Sequence, residues 1–68
     1  MSIYALAQHY LSQGQTLRAA GLMIKLIETE PTPKNLELLA DIYMAQGLFD
    51  DAKELYLQVV EAELKRSR

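Results

Sequence analysis

Apolar residues recur at steps of three and four along almost the whole chain, which is the spacing of one face of an α-helix. Four such stretches are separated by three breaks, at Gly14, at residues 31–33 and at Gly47. Glycine adopts the left-handed conformation of a tight reversal at little steric cost, and proline stops a helix. The pattern therefore predicts an all-α chain of four helices.

The starts and ends of these helices have their own signals. Residue types that favour helix N-caps stand at three of the predicted starts: Ser2, Thr16 and Thr32. Pro33 in the first turn favours a third helix over about residues 33–46. The fourth helix begins with acidic residues and ends with basic ones, which suits the helix dipole. These residues are Asp50 and Asp51 at its start, and Lys65, Arg66 and Arg68 at its end.

The second predicted helix is apolar over most of its circumference, so we expect it to be the most buried of the four. One stripe at helical spacing should pack on the third helix; it consists of Leu17, Ala20, Gly21 and Ile24. Gly21 inside a helix costs about 1 kcal/mol relative to alanine. We expect that a neighbouring helix approaches closely at this glycine.

The chain repeats itself at an offset of 33 residues. Residues 3–27 match residues 36–60, and the paired residues include Leu6 with Leu39, Ala7 with Ala40, Tyr10 with Tyr43, Gly14 with Gly47 and Ala19 with Ala52. A fixed period in this range is typical of a repeat architecture. We predict a single domain over residues 1–68, built from two stacked antiparallel helix-turn-helix hairpins. Repeat one spans about 2–31 and repeat two about 33–66.

Differences between the two copies indicate where neighbours are present. Ala7, Ala19, Ala40 and Ala52 are small where facing helices must approach, while Tyr10, Tyr43 and Tyr56 fill wider gaps. Three of the four residues that match the second-helix stripe are charged, namely Asp50, Lys53 and Glu54. At the other end, Ala5, His9 and Ser12 stand where the third helix has Leu38, Ile42 and Ala45. The pattern predicts two hairpins with polar outer ends.

Composition limits the classes of partner and location. The net charge of −2 is small and the only basic cluster is a helix end, so nucleic acid is not expected as a partner. No apolar run approaches the roughly 20 residues of a membrane span, and the N-terminus does not have the pattern of a signal peptide. The absence of cysteine fits a reducing compartment. We expect a cytoplasmic protein without a membrane partner, unless the chain belongs to a larger one.

Catalytic and metal-binding patterns are not expected from this sequence. His9 is the only histidine and has no cysteine or carboxylate at ligand spacing. Asp50 with Asp51, and Glu61 with Glu63, are explained by a helix start and a solvated face. The sequence has no glycine-rich phosphate loop and no nucleophile elbow. We therefore expect no enzyme activity, no cofactor and no metal.

The two copies resemble the tetratricopeptide repeat, whose pattern is roughly W-x2-L-G-x2-Y, then A-x3-F, then P, over 34 residues. The first copy supplies Ile3, Leu6, Ala7, Tyr10, Gly14, Ala19, Met23 and Pro31. The second supplies Leu36, Leu39, Ala40, Tyr43, Gly47, Ala52 and Tyr56. The chain departs from the family in having Ile3 and Leu36 for tryptophan, Leu64 for the second proline and one residue fewer between copies.

The resemblance implies a protein–protein interaction module with a scaffold, co-chaperone or assembly role. In such proteins the first helix of each hairpin lines a concave groove that holds a peptide or helix. The matching positions here are Met1, Tyr4, Gln8, Leu11 and Ser12, then Lys34, Glu37, Asp41, Met44 and Ala45. Some members hold acidic chaperone tails with lysine and asparagine, where this chain has Tyr4, Gln8, Glu37 and Asp41. An apolar or mildly basic partner segment is expected instead.

A second hypothesis is a self-associating structural unit without a peptide ligand. Repeat stacks generally need three or more units, because each hairpin buries its apolar face only against neighbours. Leu57 and Leu64 lie seven residues apart on the fourth helix and could form a self-association face. A homodimer is therefore the alternative to the peptide groove.

Overall fold

The computed structural model describes residues 1–67 and contains four α-helices joined by short turns. The helices are α1 (Ile3–Ser12), α2 (Thr16–Thr29), α3 (Pro33–Ala45) and α4 (Phe49–Arg66). No strand occurs in these residues. The predicted all-α architecture of two helical hairpins is confirmed.

Side chains cap two of the helices as predicted. The Ser2 hydroxyl accepts a hydrogen bond from the Ala5 N–H at 3.0 Å, and the Thr32 hydroxyl accepts one from the Asn35 N–H at 3.2 Å. The expectation for Thr16 is wrong. Thr16 is already the first residue of α2, and Gln15 precedes it without a side-chain cap hydrogen bond.

Within the described residues, the charged side chains at both ends of α4 have the signs that the helix dipole favours. Asp50 and Asp51 lie in its first turn, while Lys65 and Arg66 lie in its last. Negative charge at the N-terminus and positive charge at the C-terminus both oppose the partial charges of unpaired backbone groups. Arg68, the remaining basic residue of the prediction, lies outside the described residues.

Gly14 and Gly47 make the reversals within the two hairpins. Their φ angles are +76° and +78°, in the left-handed region that other residues adopt only with strain. In each turn the next N–H donates back to a tyrosine carbonyl at 2.9 Å, from Gln15 to Tyr10 and from Leu48 to Tyr43. These paired turns make α1–α2 and α3–α4 antiparallel hairpins.

The hairpins stack through α2 and α3, with α1 also touching α3. Four alanines are fully buried at the helix contacts: Ala7, Ala19, Ala40 and Ala52. The largest fully buried side chains are Met23, Leu39 and Ile42. Small residues therefore stand where helices approach and large ones fill the spaces, as the repeat predicts.

The most buried helix is α3, and the expectation for α2 is wrong. Leu17 is 81% exposed, Ile24 is 46% exposed, and Gly21 is also on the surface. No atom beyond the local backbone lies within 4 Å of the place where a Cβ on Gly21 would be, so no helix approaches it closely. The physical reason is position, because α3 is covered by α2 on one side and by α4 on the other.

On α1 the predicted outer end is found at Ala5 and His9, whose counterparts are buried, but not at Ser12, whose counterpart Ala45 is exposed. His9 is exposed where its counterpart Ile42 is fully buried. On α4, the counterparts of Asp50 and Glu54 are Leu17 and Gly21, which are themselves exposed. Only Lys53 replaces a buried residue, Ala20. The charges at Asp50 and Glu54 therefore do not indicate a missing neighbour, because these positions are exposed in both repeats.

Candidate functional site: the surface shared by α1 and α3

The predicted lining residues lie on α1 and α3, which contact each other, and we call this candidate surface the α1–α3 groove. All of them are exposed or half-buried, whereas the apolar residues on the other faces of α3 are buried. The groove residues are Tyr4, Gln8, Leu11 and Ser12 on α1, with Lys34, Glu37, Asp41, Met44 and Ala45 on α3. Because they recur at steps of three, four and one, each set follows one flank of its helix.

Lys34 and Tyr4 connect the two helices across the groove. The Lys34 Nζ lies 4.6 Å from the centroid of the Tyr4 ring, within the range of a cation–π interaction. Both side chains line an open depression that also includes Glu37 and, from the end of α4, Glu63 and Arg66. One end of the groove is therefore a mixed-charge surface next to an aromatic ring.

Asp41 and Tyr56 bring α4 into the same site. The Tyr56 hydroxyl donates a hydrogen bond of 2.5 Å to Oδ1 of Asp41. The pKa of Tyr56 is raised from 10.0 to about 12 by this hydrogen bond first, then by burial and by the negative charges of Asp41 and Glu37. The carboxylate of Asp41 therefore has a structural role as well as a place in the groove.

Comparison with known protein families agrees with this geometry. A family model described as tetratricopeptide repeat matches residues 10–68, which is most of the chain. The chain belongs to the tetratricopeptide repeat family. Searches of curated proteins and of solved structures gave no match. Tetratricopeptide repeats are in general non-catalytic protein–protein interaction modules.

The two tetratricopeptide repeats differ at the Asp41–Tyr56 contact. At the matching positions the first repeat has Gln8 and Met23, and Met23 is fully buried. Methionine has no hydroxyl to donate, so the first repeat cannot form this hydrogen bond. The Asp41–Tyr56 hydrogen bond therefore could not be found by comparing the two repeats. From the sequence, Tyr56 was expected only to fill space between helices.

Asn35 makes a second structural contact that was not predicted from the sequence. Its side-chain Nδ2–H donates to the Glu30 carbonyl at 2.9 Å, while its own backbone N–H is capped by Thr32. Asn35 is buried, and buried polar groups are usually hydrogen-bonded. Its hydrogen bond joins the start of α3 to the residue that follows α2, within the connection between the two repeats. The sequence signal that could have revealed this contact is an asparagine, Asn35, three residues after the N-cap Thr32.

Charge and apolarity are separated along the groove. Glu37 and Asp41 stand in the middle of α3, one turn apart, and both are exposed. Towards the C-terminal ends of the two helices the surface becomes apolar, with Met44 exposed and Leu11 half-buried. The middle of this tetratricopeptide surface is thus acidic and one end is apolar.

Residues 1–67 contain no group of three or more histidine, cysteine, aspartate or glutamate residues placed to hold a metal ion. His9 is exposed, with its ring 6.4 Å from that of Tyr10. None of the four described helices combines the length and apolarity needed to cross a bilayer.

Removal of the Tyr56 hydroxyl should destabilise the domain and change its alkaline unfolding. Because the folded-state pKa is raised above 10, the stabilisation is complete below pH 10 and is lost as the pH rises towards 12. We expect Tyr56→Phe to lower the free energy of unfolding by about 1 kcal/mol at neutral pH. Denaturant unfolding at pH 7 to 12 measures both effects.

The matched control is Tyr43→Phe, which changes the equivalent chemical group on α3. It should retain the fall in stability between pH 10 and 12 that Tyr56→Phe lacks. Equal alkaline profiles for wild type and Tyr56→Phe would contradict the assignment of the raised pKa to the Asp41 contact.

Proposed function

We propose that this pair of tetratricopeptide repeats binds a helix or extended segment of a partner protein along the α1–α3 groove. The observation that carries the proposal is the accessibility of all the predicted lining residues on α1 and α3, two helices that contact each other. Such binding suits a scaffold, a co-chaperone or an assembly component. The family assignment supports the general interaction role.

The groove's charge pattern favours an apolar or mildly basic segment. Asp41 is engaged by Tyr56, so Glu37 is the more available of the two central carboxylates. A lysine or arginine of the partner placed there would form a charge-assisted hydrogen bond. Met44 and Leu11 offer an adaptable apolar contact for a neighbouring side chain of the same segment.

The dimensions of the groove suit a short recognition element. α3 has 13 residues and is therefore about 20 Å long at 1.5 Å per residue. A partner helix of similar length could place an apolar residue beside Met44 and a basic residue beside Glu37. Recognition would then use the familiar helix-in-groove arrangement, with anchors spaced by helical turns.

Charge reversal at Glu37 is the variant that tests the proposal. The intact chain would first be used to recover a partner, whose affinity is then measured for the wild type and for Glu37→Lys. We expect an affinity loss of about tenfold, which corresponds to about 1.4 kcal/mol. Asp41 should be left intact in this test, because its replacement would also remove the Tyr56 contact.

The control is Glu28→Lys, an identical charge change at an exposed position of α2 away from the groove. It should bind as the wild type does, while circular dichroism shows that both variants keep their helices. Equal affinities for Glu37→Lys and wild type, or an equal loss for Glu28→Lys, would show that the groove is not the binding surface.

A further inference from the structure

One flank of α4 presents large apolar side chains to solvent. Phe49 is 61% exposed, Leu57 51%, Val60 52% and Leu64 65%. With Lys53 they follow helical spacing, and we call these five residues the α4 stripe. Among the described residues α4 packs against α3 alone, and the stripe lies on a different flank from the residues that make that contact.

Part of the α4 stripe matches the surface through which the two repeats stack, whereas its central residue Leu57 matches Ile24, which is itself 46% exposed. On α2 the matching residues of Lys53 and Val60 are Ala20, which is buried, and Ile27, which packs against the core. That part of α2 is covered because α3 stacks on it. On α4 the same kind of surface is left open by residues 1–67.

A head-to-tail stack of copies does not suit the opposite end of the domain. For such a stack, α1 would have to cover α4 as α3 covers α2. At Leu38 and Ile42 α3 has buried apolar side chains, whereas α1 has Ala5 and the exposed His9 at the matching positions. A closed pair in which the same surface is used twice avoids this mismatch.

We propose that the α4 stripe pairs with the α4 stripe of a second copy of this chain, with the two helices antiparallel. The stripe is self-complementary about a point between Tyr56 and Leu57. Phe49 lies seven residues before Tyr56 and Leu64 seven after Leu57, so each faces the other across the pair. Leu57 lies beside Leu57 of the second copy, near the two-fold axis.

Charges favour the antiparallel direction. Lys53, the one charge in the stripe, lies three residues before Tyr56, as Val60 lies three after Leu57, and so it faces Val60 of the second copy, next to Glu61. Its aliphatic stem can cover the valine while its ammonium group reaches the glutamate. In this register Asp50 of one α4 is level with Glu63 of the other, and the basic residues Lys65 and Arg66 follow within the next turn. A parallel pair would bring the two acidic turns together.

The pair differs from the proposed groove in its location and in its occupant. It supplies a two-repeat domain with the additional stacked surface that repeats of this kind need for stability. Failure of the dimer and failure of the groove are therefore separable, since Glu37→Lys should weaken partner binding and leave dimerisation unchanged.

Cysteine cross-linking tests the two-fold geometry directly, because the chain has no cysteine of its own. Leu57→Cys places one thiol from each copy near the axis, and mild oxidation should convert most of the protein into a covalent dimer. Leu17→Cys is the control, since Leu17 is a more exposed leucine on α2. It should stay largely monomeric at the same concentration. Equal cross-linking of the two variants, or none of either, would overturn the proposal.

Sedimentation equilibrium of the unmodified chain gives a second readout that needs no variant to fold. The expected mass is twice the 7.7 kDa of one chain, and the melting temperature should rise with concentration. Leu57→Glu should halve the mass, whereas Leu17→Glu should leave it unchanged. A wild-type chain that remains monomeric with a concentration-independent melt would overturn the dimer, and would leave the stripe to another protein or to a further repeat. A ladder of larger species would overturn the closed pair in favour of a head-to-tail stack.

Discussion

Replacement of Ile42 by alanine is expected to remove much of the folding free energy of this domain. Ile42 is fully buried on α3, the helix that packs against all three others. Truncation of a buried isoleucine costs about 2–5 kcal/mol, because apolar contacts are lost and a cavity remains. A domain of this length is stable by only about 3–10 kcal/mol at 0.05–0.15 kcal/mol per residue.

Urea unfolding followed by circular dichroism would measure this change at one fixed protein concentration. The repeat supplies a matched control, since His9 is the counterpart of Ile42 in the first repeat and is exposed. His9→Ala should change the free energy of unfolding by less than about 0.5 kcal/mol. Similar losses for both variants would contradict the inference that α3 is the central helix and α1 an outer one.

Enlargement of a buried alanine is expected to have the next largest effect. Ala40 has no exposed surface, and its small size allows α3 to approach its neighbours. Ala40→Leu would introduce three further carbon atoms into a space without room for them. Overpacking of this kind costs about 1–3 kcal/mol, and sometimes more.

Ala45→Leu is the control for this change, because Ala45 is exposed at the end of the same helix. The two variants have the same composition and differ only in where the added atoms lie. Thermal melts should show a clear loss for Ala40→Leu and little change for Ala45→Leu. Stabilities within 0.5 kcal/mol of each other would mean that the alanines do not set the distance between helices.

The elements of the fold could be predicted from the sequence because their signals are local. Gly14 and Gly47 have the positive φ that their reversals require, and Thr32 with Pro33 starts α3. The repeat adds a second, independent constraint, since matching positions in the two copies should have the same secondary structure. This is why four helices and two hairpins follow from one chain.

Which flank of a helix becomes buried depends on how the helices assemble. For this reason the prediction that α2 is the most buried helix was wrong. α2 is apolar on several sides, so its periodicity did not distinguish the exposed Leu17 and Ile24 from the buried Ala20. The second repeat held the missing signal. Asp50 matches Leu17 and Glu54 matches Gly21, which indicates positions that are exposed in both repeats.

The positions of the proposed groove come from the resemblance to the repeat family, carried over residue by residue. The contacts within the groove could not be predicted from the sequence. The Asp41–Tyr56 hydrogen bond joins residues on two helices whose relative position depends on packing, and the first repeat has no equivalent. The same holds for the Lys34–Tyr4 interaction, which joins residues 30 positions apart across the two repeats.

The most direct test of the proposed function is a map of the surface that a bound partner covers. Photoreactive side chains at Gln8 and Met44 would report on the groove, and one at Lys25, exposed on α2, would report on the outside. We expect adducts with the recovered partner from Gln8 and Met44 and none from Lys25. Adducts from Lys25 alone, or equal adducts from all three, would contradict binding in the α1–α3 groove.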